Sequence, residues 1–146
     1  MVVLLVKYAH FIGFILLGAS LVGEHLLIQP RMTKAEVKRV ANVDVMFSLG
    51  AATLFITGLL LVFKFGKPAD YYLSNWVFYF KVSLFISIGI VSLYPMVTFI
   101  RLRKGDQQEE VDIPKGLKHV IRFELLVLML LPLCGVLLAN GVVIQW

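Results

Sequence analysis

Two basic side chains lie deep inside apolar stretches of this chain, and their chemistry raises the question of function. His10 lies in the first apolar stretch and Lys81 in the third. Ionisable groups are costly in a bilayer, so they usually face a partner or a cavity and not lipid. The first and third helices are expected to enter the bilayer from the same side, so these two residues lie at similar depth on neighbouring helices. Because two basic groups do not neutralise each other, we expect an anion or a metal between them.

Imidazole is the most common protein ligand of metals and also binds haem iron. A haem fits the pair in principle, with His10 as axial ligand and Lys81 directed toward a propionate or the sixth coordination position. Aromatic side chains flank Lys81 and would surround the macrocycle: Phe78, Tyr79, Phe80 and Phe85. A structural interpretation stays open, in which His10 forms a hydrogen bond and Lys81 snorkels to the surface. His25 and His119 lie near the opposite surface, where both suit the membrane interface. The alternative interpretation is that these two histidines ligate a haem on that side.

A second group of ionisable residues gathers toward the other ends of the helices. Its acidic members are Glu24, Asp44 and Glu124, and Arg122 adds a guanidinium group. A buried guanidinium pairs well with carboxylates, so in one interpretation Arg122 neutralises the three acids and locks the helices together. In the other interpretation the cluster is a proton relay or a substrate site.

The elements that hold these residues are four apolar stretches, residues 2–28, 43–63, 76–100 and 121–143. Each is long enough to span a bilayer core of about 30 Å. The chain of 146 residues is 60% hydrophobic and 16% charged, whereas soluble domains are about 45–50% apolar and about 25% charged. The sequence therefore predicts an all-α integral membrane protein, a single four-helix bundle over residues 1–146 that sits in the lipid bilayer.

Local signals mark the ends and bends of the predicted helices. Thr33 and Glu36 have the spacing of a capping box, which starts the second helix before it enters the lipid. Asn75 is suited to cap the third helix. Pro95 and Pro132 fall inside spans and predict bends there. Residues 105–112 are polar and predict a solvated loop between the third and fourth helices.

The net charge of +5 comes mainly from links between the apolar stretches, so it indicates membrane topology and not nucleic-acid binding. The second link has only Lys64 and Lys67. The other two links are richer in basic residues: Arg31, Lys34, Lys38 and Arg39 in the first, and Arg101, Arg103, Lys104, Lys115 and Lys118 in the third. Since basic links stay in the cytoplasm, both termini are expected outside it, in the bacterial cytoplasmic membrane.

Several other chemistries have no signature in the sequence. There is one cysteine, Cys134, so the chain has no intramolecular disulfide or cysteine metal site. No nucleotide-binding loop, HExxH motif or catalytic triad is found. Small residues spaced four apart permit close helix packing and make a homodimer reasonable; they are Ala19 with Gly23, Ser83 with Ser87, and Gly135 with Ala139.

Short motifs spread along the chain carry a resemblance to a known family. They are Gly23-Glu24-His25-Leu26, Phe65-Gly66-Lys67, Tyr72, Asn75, Phe80-Lys81, Ser92-Leu93-Tyr94-Pro95, Arg122-Phe123-Glu124 and Leu131-Pro132. With these motifs the chain resembles, nearly end to end, a bacterial family of small four-helix membrane proteins of unknown function. That resemblance implies a fold and no activity.

More distantly, the chain is similar to the bacterial protoporphyrinogen oxidase family that carries haem b in a small helical bundle. The essential His and Lys of that family would fall on His10 and Lys81, and the Arg and Glu that open its last span on Arg122 and Glu124. The resemblance implies haem b with its iron on His10, and Lys81, Arg122 and Glu124 as catalytic residues. In that family a proline follows the Glu closely. The chain departs from this pattern, since its nearest proline, Pro132, lies eight residues after Glu124.

Together these features predict a haem-b membrane protein of redox character that passes electrons to a quinone or a respiratory partner. Whether it is an enzyme, a haem-dependent membrane oxidoreductase, stays open. The alternative is a non-enzymatic bundle, either an assembly subunit or a small-solute carrier, whose charged groups only pack and orient helices.

Overall fold

Long apolar stretches form helices in lipid because a helix satisfies its own backbone hydrogen bonds. The computed structural model describes residues 1–144. Within them, four helical segments are long and apolar enough to cross a membrane. They are called spans 1 to 4 here: Val2–Leu27, Lys34–Phe65, Trp76–Leu102 and Lys115–Ala139. The predicted four-helix membrane architecture is confirmed.

Spans 1 and 4 are single helices, whereas spans 2 and 3 are each built from two pieces. The elements in chain order are α1 (Val2–Leu27), strand β1 (Arg31–Thr33), α2 (Lys34–Leu60), a π-helical turn (Leu61–Phe65), α3 (Ala69–Leu73), α4 (Trp76–Val91), α5 (Leu93–Leu102), strand β2 (Glu110–Asp112) and α6 (Lys115–Ala139). Span 3 breaks at Ser92. Pro95 explains the break, because it has no N–H to donate to the carbonyl of Val91.

The predicted caps form as expected. The Thr33 hydroxyl accepts a hydrogen bond from the Glu36 N–H at 3.2 Å, and the Glu36 carboxylate accepts one from the Thr33 N–H at 2.8 Å. The Asn75 side chain accepts from the Val77 N–H at 3.1 Å and starts α4. Span 4 begins at Lys115 and ends at Ala139, so it lies earlier than the predicted 121–143. It stops where Gly141 adopts a φ of +77°, a conformation that ends helices.

The sequence predicted only a loop between spans 3 and 4, but this link also contains a strand. β2 pairs antiparallel with β1, with Met32 opposite Val111. Arg31 Nε donates to the Asp112 carboxylate at 3.2 Å, and Lys34 forms an ion pair with Glu109. Strands of three residues are too short to give a periodic hydrophobic pattern, so the sequence did not reveal them. The ribbon ties the first link to the third, and this end of the bundle is called the ribbon end.

The four spans pack in a ring in chain order. Helix α1 packs along α2, α5 contacts α2, and α6 lies against both α4 and α1. Spans 1 and 3 are therefore diagonal across the bundle. The prediction that His10 and Lys81 lie on neighbouring helices is wrong, because short links make successive helices adjacent and leave the first and third opposite.

Helices α1 and α2 approach closely at two glycines. A Cβ atom built on Gly50 would lie 2.8 Å from the Leu17 nitrogen and 2.9 Å from the Gly13 carbonyl oxygen. A Cβ on Gly13 would lie 3.2 Å from the Gly50 carbonyl oxygen. Backbone contacts of this kind are common where small residues line helix interfaces in membranes. They set the position of His10, which lies one turn from Gly13.

The outer surface of the bundle is apolar. Met129 is 73% exposed, Leu126 66% and Phe11 62%. Soluble monomers rarely expose large apolar side chains over a continuous surface. The surface suits contact with lipid acyl chains, in agreement with the composition of the spans.

Candidate functional site

His10 is held by a hydroxyl group on the neighbouring span. Its Nδ1 lies 2.8 Å from Thr57 Oγ1, and Thr57 Oγ1 donates to the Thr53 carbonyl oxygen at 2.5 Å. Because the only hydroxyl proton of Thr57 is used in that bond, Thr57 accepts from the Nδ1–H of His10. In the neutral ring Nε2 then carries the lone pair. Thr57 thus fixes the orientation and the tautomer of the imidazole.

Thr57 is not among the residues that the sequence predicted for this site. It is buried, 7% exposed, and the next residue is Gly58, on which a Cβ would lie 3.6 Å from His10 Cε1. Gly50, Thr53 and Thr57 follow each other at spacings of three and four residues, so they share one face of α2. That stripe of small and hydroxyl residues is the signal from which the partner of His10 could have been found.

Lys81 lies half-buried between spans 3 and 4. A Cβ built on Gly135 would lie 3.8 Å from Lys81 Nζ, so the glycine leaves room for the amine. Lys81 lies close enough to the His10 ring for an electrostatic interaction. The structure thus brings His10 and Lys81 within electrostatic reach of each other across the interior, although their helices are diagonal.

The four aromatic residues around Lys81 do not all face the interior. Phe78 and Phe85 are half-buried and pack against buried apolar residues. Tyr79 is 40% exposed and Phe80 is 39% exposed. Phe80 stacks on Trp76 with ring centroids 5.5 Å apart. The expectation that all four surround one bound group is wrong, because successive helical residues point about 100° apart.

Three carboxyl groups come together near the ribbon end. Glu24 is 1% exposed, Asp44 5% and Glu124 0%, and the three interact electrostatically with one another. The helices meet beside them, since a Cβ on Gly23 would lie 3.3 Å from Val43 Cγ1. Glu24 Oε1 and both carboxylate oxygens of Glu124 have no hydrogen-bond partner within the described residues.

Arg122 does not neutralise this cluster. It is exposed, and within residues 1–144 the ion pairs involve only Arg31 and Lys34 as cations. Arg122 and Glu124 are two residues apart on α6, which turns their side chains about 200° from each other. The interpretation in which Arg122 locks three acids together is therefore wrong. Arg122 instead acts electrostatically on His25.

The predicted site residues fall into two separate places. Lys81 is near Gly135, which lies eleven residues from Glu124 along α6; at 1.5 Å per residue that is about 16 Å. His10 and Lys81 thus form one place, and Glu124 belongs to the acidic cluster. Arg122 belongs to neither. His119 is exposed, and the Nδ1 of His25 is buried without a hydrogen-bond partner in the described part of the chain.

A cleft between α2 and α5 reaches the acidic cluster. Its volume is about 250 Å³, and its polar lining consists of Asp44, Ser48 and Arg103. Across residues 1–144, no three His, Cys, Asp or Glu side chains are grouped so that they could hold a metal ion. Within residues 1–144 the cluster is therefore a set of acids beside a cleft, without a metal-binding arrangement.

Comparison with known proteins identifies a family for this chain. No curated protein and no solved structure gives a significant match, so the similarity to the oxidase family stays a prediction. One family model matches, that of "Predicted membrane protein (DUF2214)", over residues 2–143. The match agrees with the predicted resemblance to a membrane protein family of unknown function. With nearly its whole length matched and four spans in its structure, the chain belongs to the DUF2214 family of membrane proteins.

Proposed function

We propose that this chain is a redox protein of the membrane that binds haem b between spans 1 and 3, where His10 would hold the iron. One observation carries the proposal. Thr57 holds Nδ1 of His10 at 2.8 Å and leaves the lone pair on Nε2. Haem and metal ligands of this type characteristically donate their other ring N–H to an oxygen atom, which fixes the tautomer and raises the basicity of the ring.

The surroundings of His10 agree with a bound macrocycle that carries negative groups. Lys81 supplies a positive charge within electrostatic reach of His10, and its ammonium can pair with a propionate. Phe78 and Phe85 supply half-buried apolar walls. Gly58 and Gly135 have no side chains to obstruct the space beside His10 and Lys81. These donors and apolar side chains support the proposal.

Bound haem b supplies one-electron chemistry, which fits transfer to a quinone or a respiratory partner. Thr57 orients the imidazole, and Lys81 offsets negative charge in a medium where it is costly. Glu124 and Arg122 lie outside this site, so the proposed function is electron transfer and does not include oxidation of a tetrapyrrole substrate.

A second candidate is a non-enzymatic bundle, either an assembly subunit or a small-solute carrier. The observation that favours it is the same hydrogen bond, since a histidine that donates to Thr57 is also a satisfied structural residue. The two candidates differ in whether Nε2 binds iron.

An absorption spectrum separates the two candidates. The detergent-purified protein, supplemented with haem, is expected to show a Soret peak with sharpened bands after dithionite reduction, and His10→Ala is expected to lose them. His119→Ala is the matched control, because His119 is exposed on α6. It is expected to keep the spectrum. Circular dichroism verifies that each variant is folded.

Two results would contradict the proposal. A supplemented wild-type protein without a Soret peak binds no haem, which leaves the non-enzymatic bundle. A spectrum that survives in His10→Ala and disappears in His25→Ala would move the haem to the ribbon end and remove His10 from the function.

A further inference from the structure

The acidic cluster of Glu24, Asp44 and Glu124 is not used by the proposed function and needs an explanation of its own. Glu24 and Glu124 are 1% and 0% exposed, and three of their carboxylate oxygens, Glu24 Oε1, Glu124 Oε1 and Glu124 Oε2, have no hydrogen-bond partner among the described residues. A buried ionised carboxylate without a partner carries a desolvation cost of several kcal/mol. Three of them close together would add mutual repulsion in a medium of low dielectric constant.

Within residues 1–144, no cation forms an ion pair with these carboxylates. On α5, Arg103 lines the cleft with Asp44, yet the two form no ion pair within 4.0 Å. On α6, Arg122 is exposed, and Lys118 Nζ is directed to the Ile28 carbonyl oxygen at 3.5 Å. On α1, His25 follows Glu24 and lies near the same two basic residues. The charged groups that face the cluster from all the helices around it thus leave its acids unpaired.

We propose that Glu24, Asp44 and Glu124 form a proton-binding site within the membrane, in which protons are held on carboxyl oxygens and exchange with water through the cleft beside Asp44. A protonated carboxyl group is neutral and can donate to a neighbouring carboxyl oxygen. The inference stands whether or not the chain binds haem, because the two sites lie about 16 Å apart along α6.

The route of exchange follows from what covers the cluster at the ribbon end. Buried apolar residues fill the ribbon end of the bundle, each at most 7% exposed: Ile28, Met32, Ile113, Leu117 and Ile121. Water cannot readily cross such packing. The cleft of about 250 Å³ beside Asp44 is lined by the polar residues Ser48 and Arg103 and by five apolar ones, Ala41, Val45, Leu49, Met96 and Ile100. Asp44 is therefore the member of the cluster that exchanges with solvent, and Glu24 and Glu124 lie behind it.

Infrared spectroscopy of the full-length chain in detergent tests the inference directly. The carbonyl stretch of a protonated carboxylic acid is distinct from the bands of a carboxylate. We expect that stretch at neutral pH, its reversible loss on alkalinisation, and a smaller signal in Glu24→Gln and in Glu124→Gln. Glutamine has nearly the shape of the protonated acid, so these variants are expected to fold. Glu110→Gln is the control, since Glu110 is 61% exposed in the ribbon, and it leaves the stretch unchanged.

Hydrogen–deuterium exchange of the same band tests the route. Transfer into D2O shifts the stretch at a rate set by access to the cluster, and Asp44→Asn is expected to slow that shift at least several-fold. Repeating these measurements in the His10→Ala protein removes any signal from haem propionates. A negative result for the acidic cluster is then distinct from a negative result for haem binding.

Three outcomes would overturn the inference. A wild-type protein without the acid stretch at neutral pH has ionised carboxylates and no bound protons. A stretch that appears only after Na⁺ or divalent ions are removed identifies a cation site. An exchange rate that Asp44→Asn leaves unchanged removes the cleft as the route.

Discussion

At the scale of single residues, Thr57 decides which nitrogen of His10 is available. Its hydroxyl donates to the Thr53 carbonyl oxygen and accepts from Nδ1–H of His10. The lone pair therefore stays on Nε2. A hydroxyl at this position has a role that its apolar neighbours cannot fill, and the haem proposal depends on it more than on any other contact.

Replacing Thr57 tests that dependence. Thr57→Val keeps the shape and removes the hydroxyl, so Nδ1–H loses its acceptor, and we expect haem affinity to fall about 10–100-fold, as is typical when the partner of a ligating histidine is lost. Thr57→Ser keeps the hydroxyl and is the control, with affinity close to wild type. Titration of the purified protein with haem measures both. Equal affinity in Thr57→Val and wild type would show that Thr57 does not position the ligand.

At the scale of elements, the contact between α1 and α2 depends on glycine because backbone atoms touch there. A Cβ on Gly50 would meet the Leu17 nitrogen and the Gly13 carbonyl oxygen, neither of which can rotate away. By contrast, a Cβ on Gly89 of α4 would meet nothing within 4 Å. The two glycines have the same chemistry and opposite surroundings.

This difference predicts opposite effects of one substitution. Gly50→Ala forces the helices apart and is expected to lower the free energy of unfolding by about 1–3 kcal/mol, the usual cost of overpacking. Gly89→Ala adds a methyl group in open space and is expected to be neutral or to stabilise by up to about 1 kcal/mol. Unfolding in mixed detergent and sodium dodecyl sulfate measures both. Equal stability of the two variants would mean that α1 and α2 can separate at Gly50 without cost.

At the scale of the whole molecule, charge is distributed unequally between the two ends of the bundle. The ribbon end has the basic residues of the first and third links. Arg31 pairs with Asp112 within the ribbon, and Lys34 pairs with Glu109 beside it. The other end has Lys64 and Lys67 in its link. Basic links are retained in the cytoplasm during insertion, which predicts that the ribbon faces the cytoplasm.

Reporter fusions measure this orientation. Alkaline phosphatase is active only outside the cytoplasm, so a fusion after residue 144 is expected to be active and a fusion at Gly105 inactive. Green fluorescent protein folds in the cytoplasm and is expected to give the reverse pattern at the same two positions. Active phosphatase at Gly105 would show that the protein inserts with the ribbon outside.

The sequence by itself determined the features that depend on local composition. The four spans follow from length and hydropathy, and the caps at Thr33 and Asn75 follow from side chains that bond to amides two or three residues away. Even the failure of Arg122 to meet Glu124 could have been calculated, because the helical repeat alone turns them to different faces. These features need no information from distant parts of the chain.

Only the tertiary structure decided which distant residues meet. Thr57 lies 47 residues from His10, and Asp112 lies 81 residues from Arg31. The periodicity of a single helix or strand does not relate residues on different elements, so no pattern along the chain predicts either contact. The diagonal placement of spans 1 and 3 likewise follows from how the helices pack, as does the burial of three acids that form no ion pair within residues 1–144. In lipid, apolar surfaces offer little driving force for one arrangement over another, so packing at small residues such as Gly13 and Gly50 selects it.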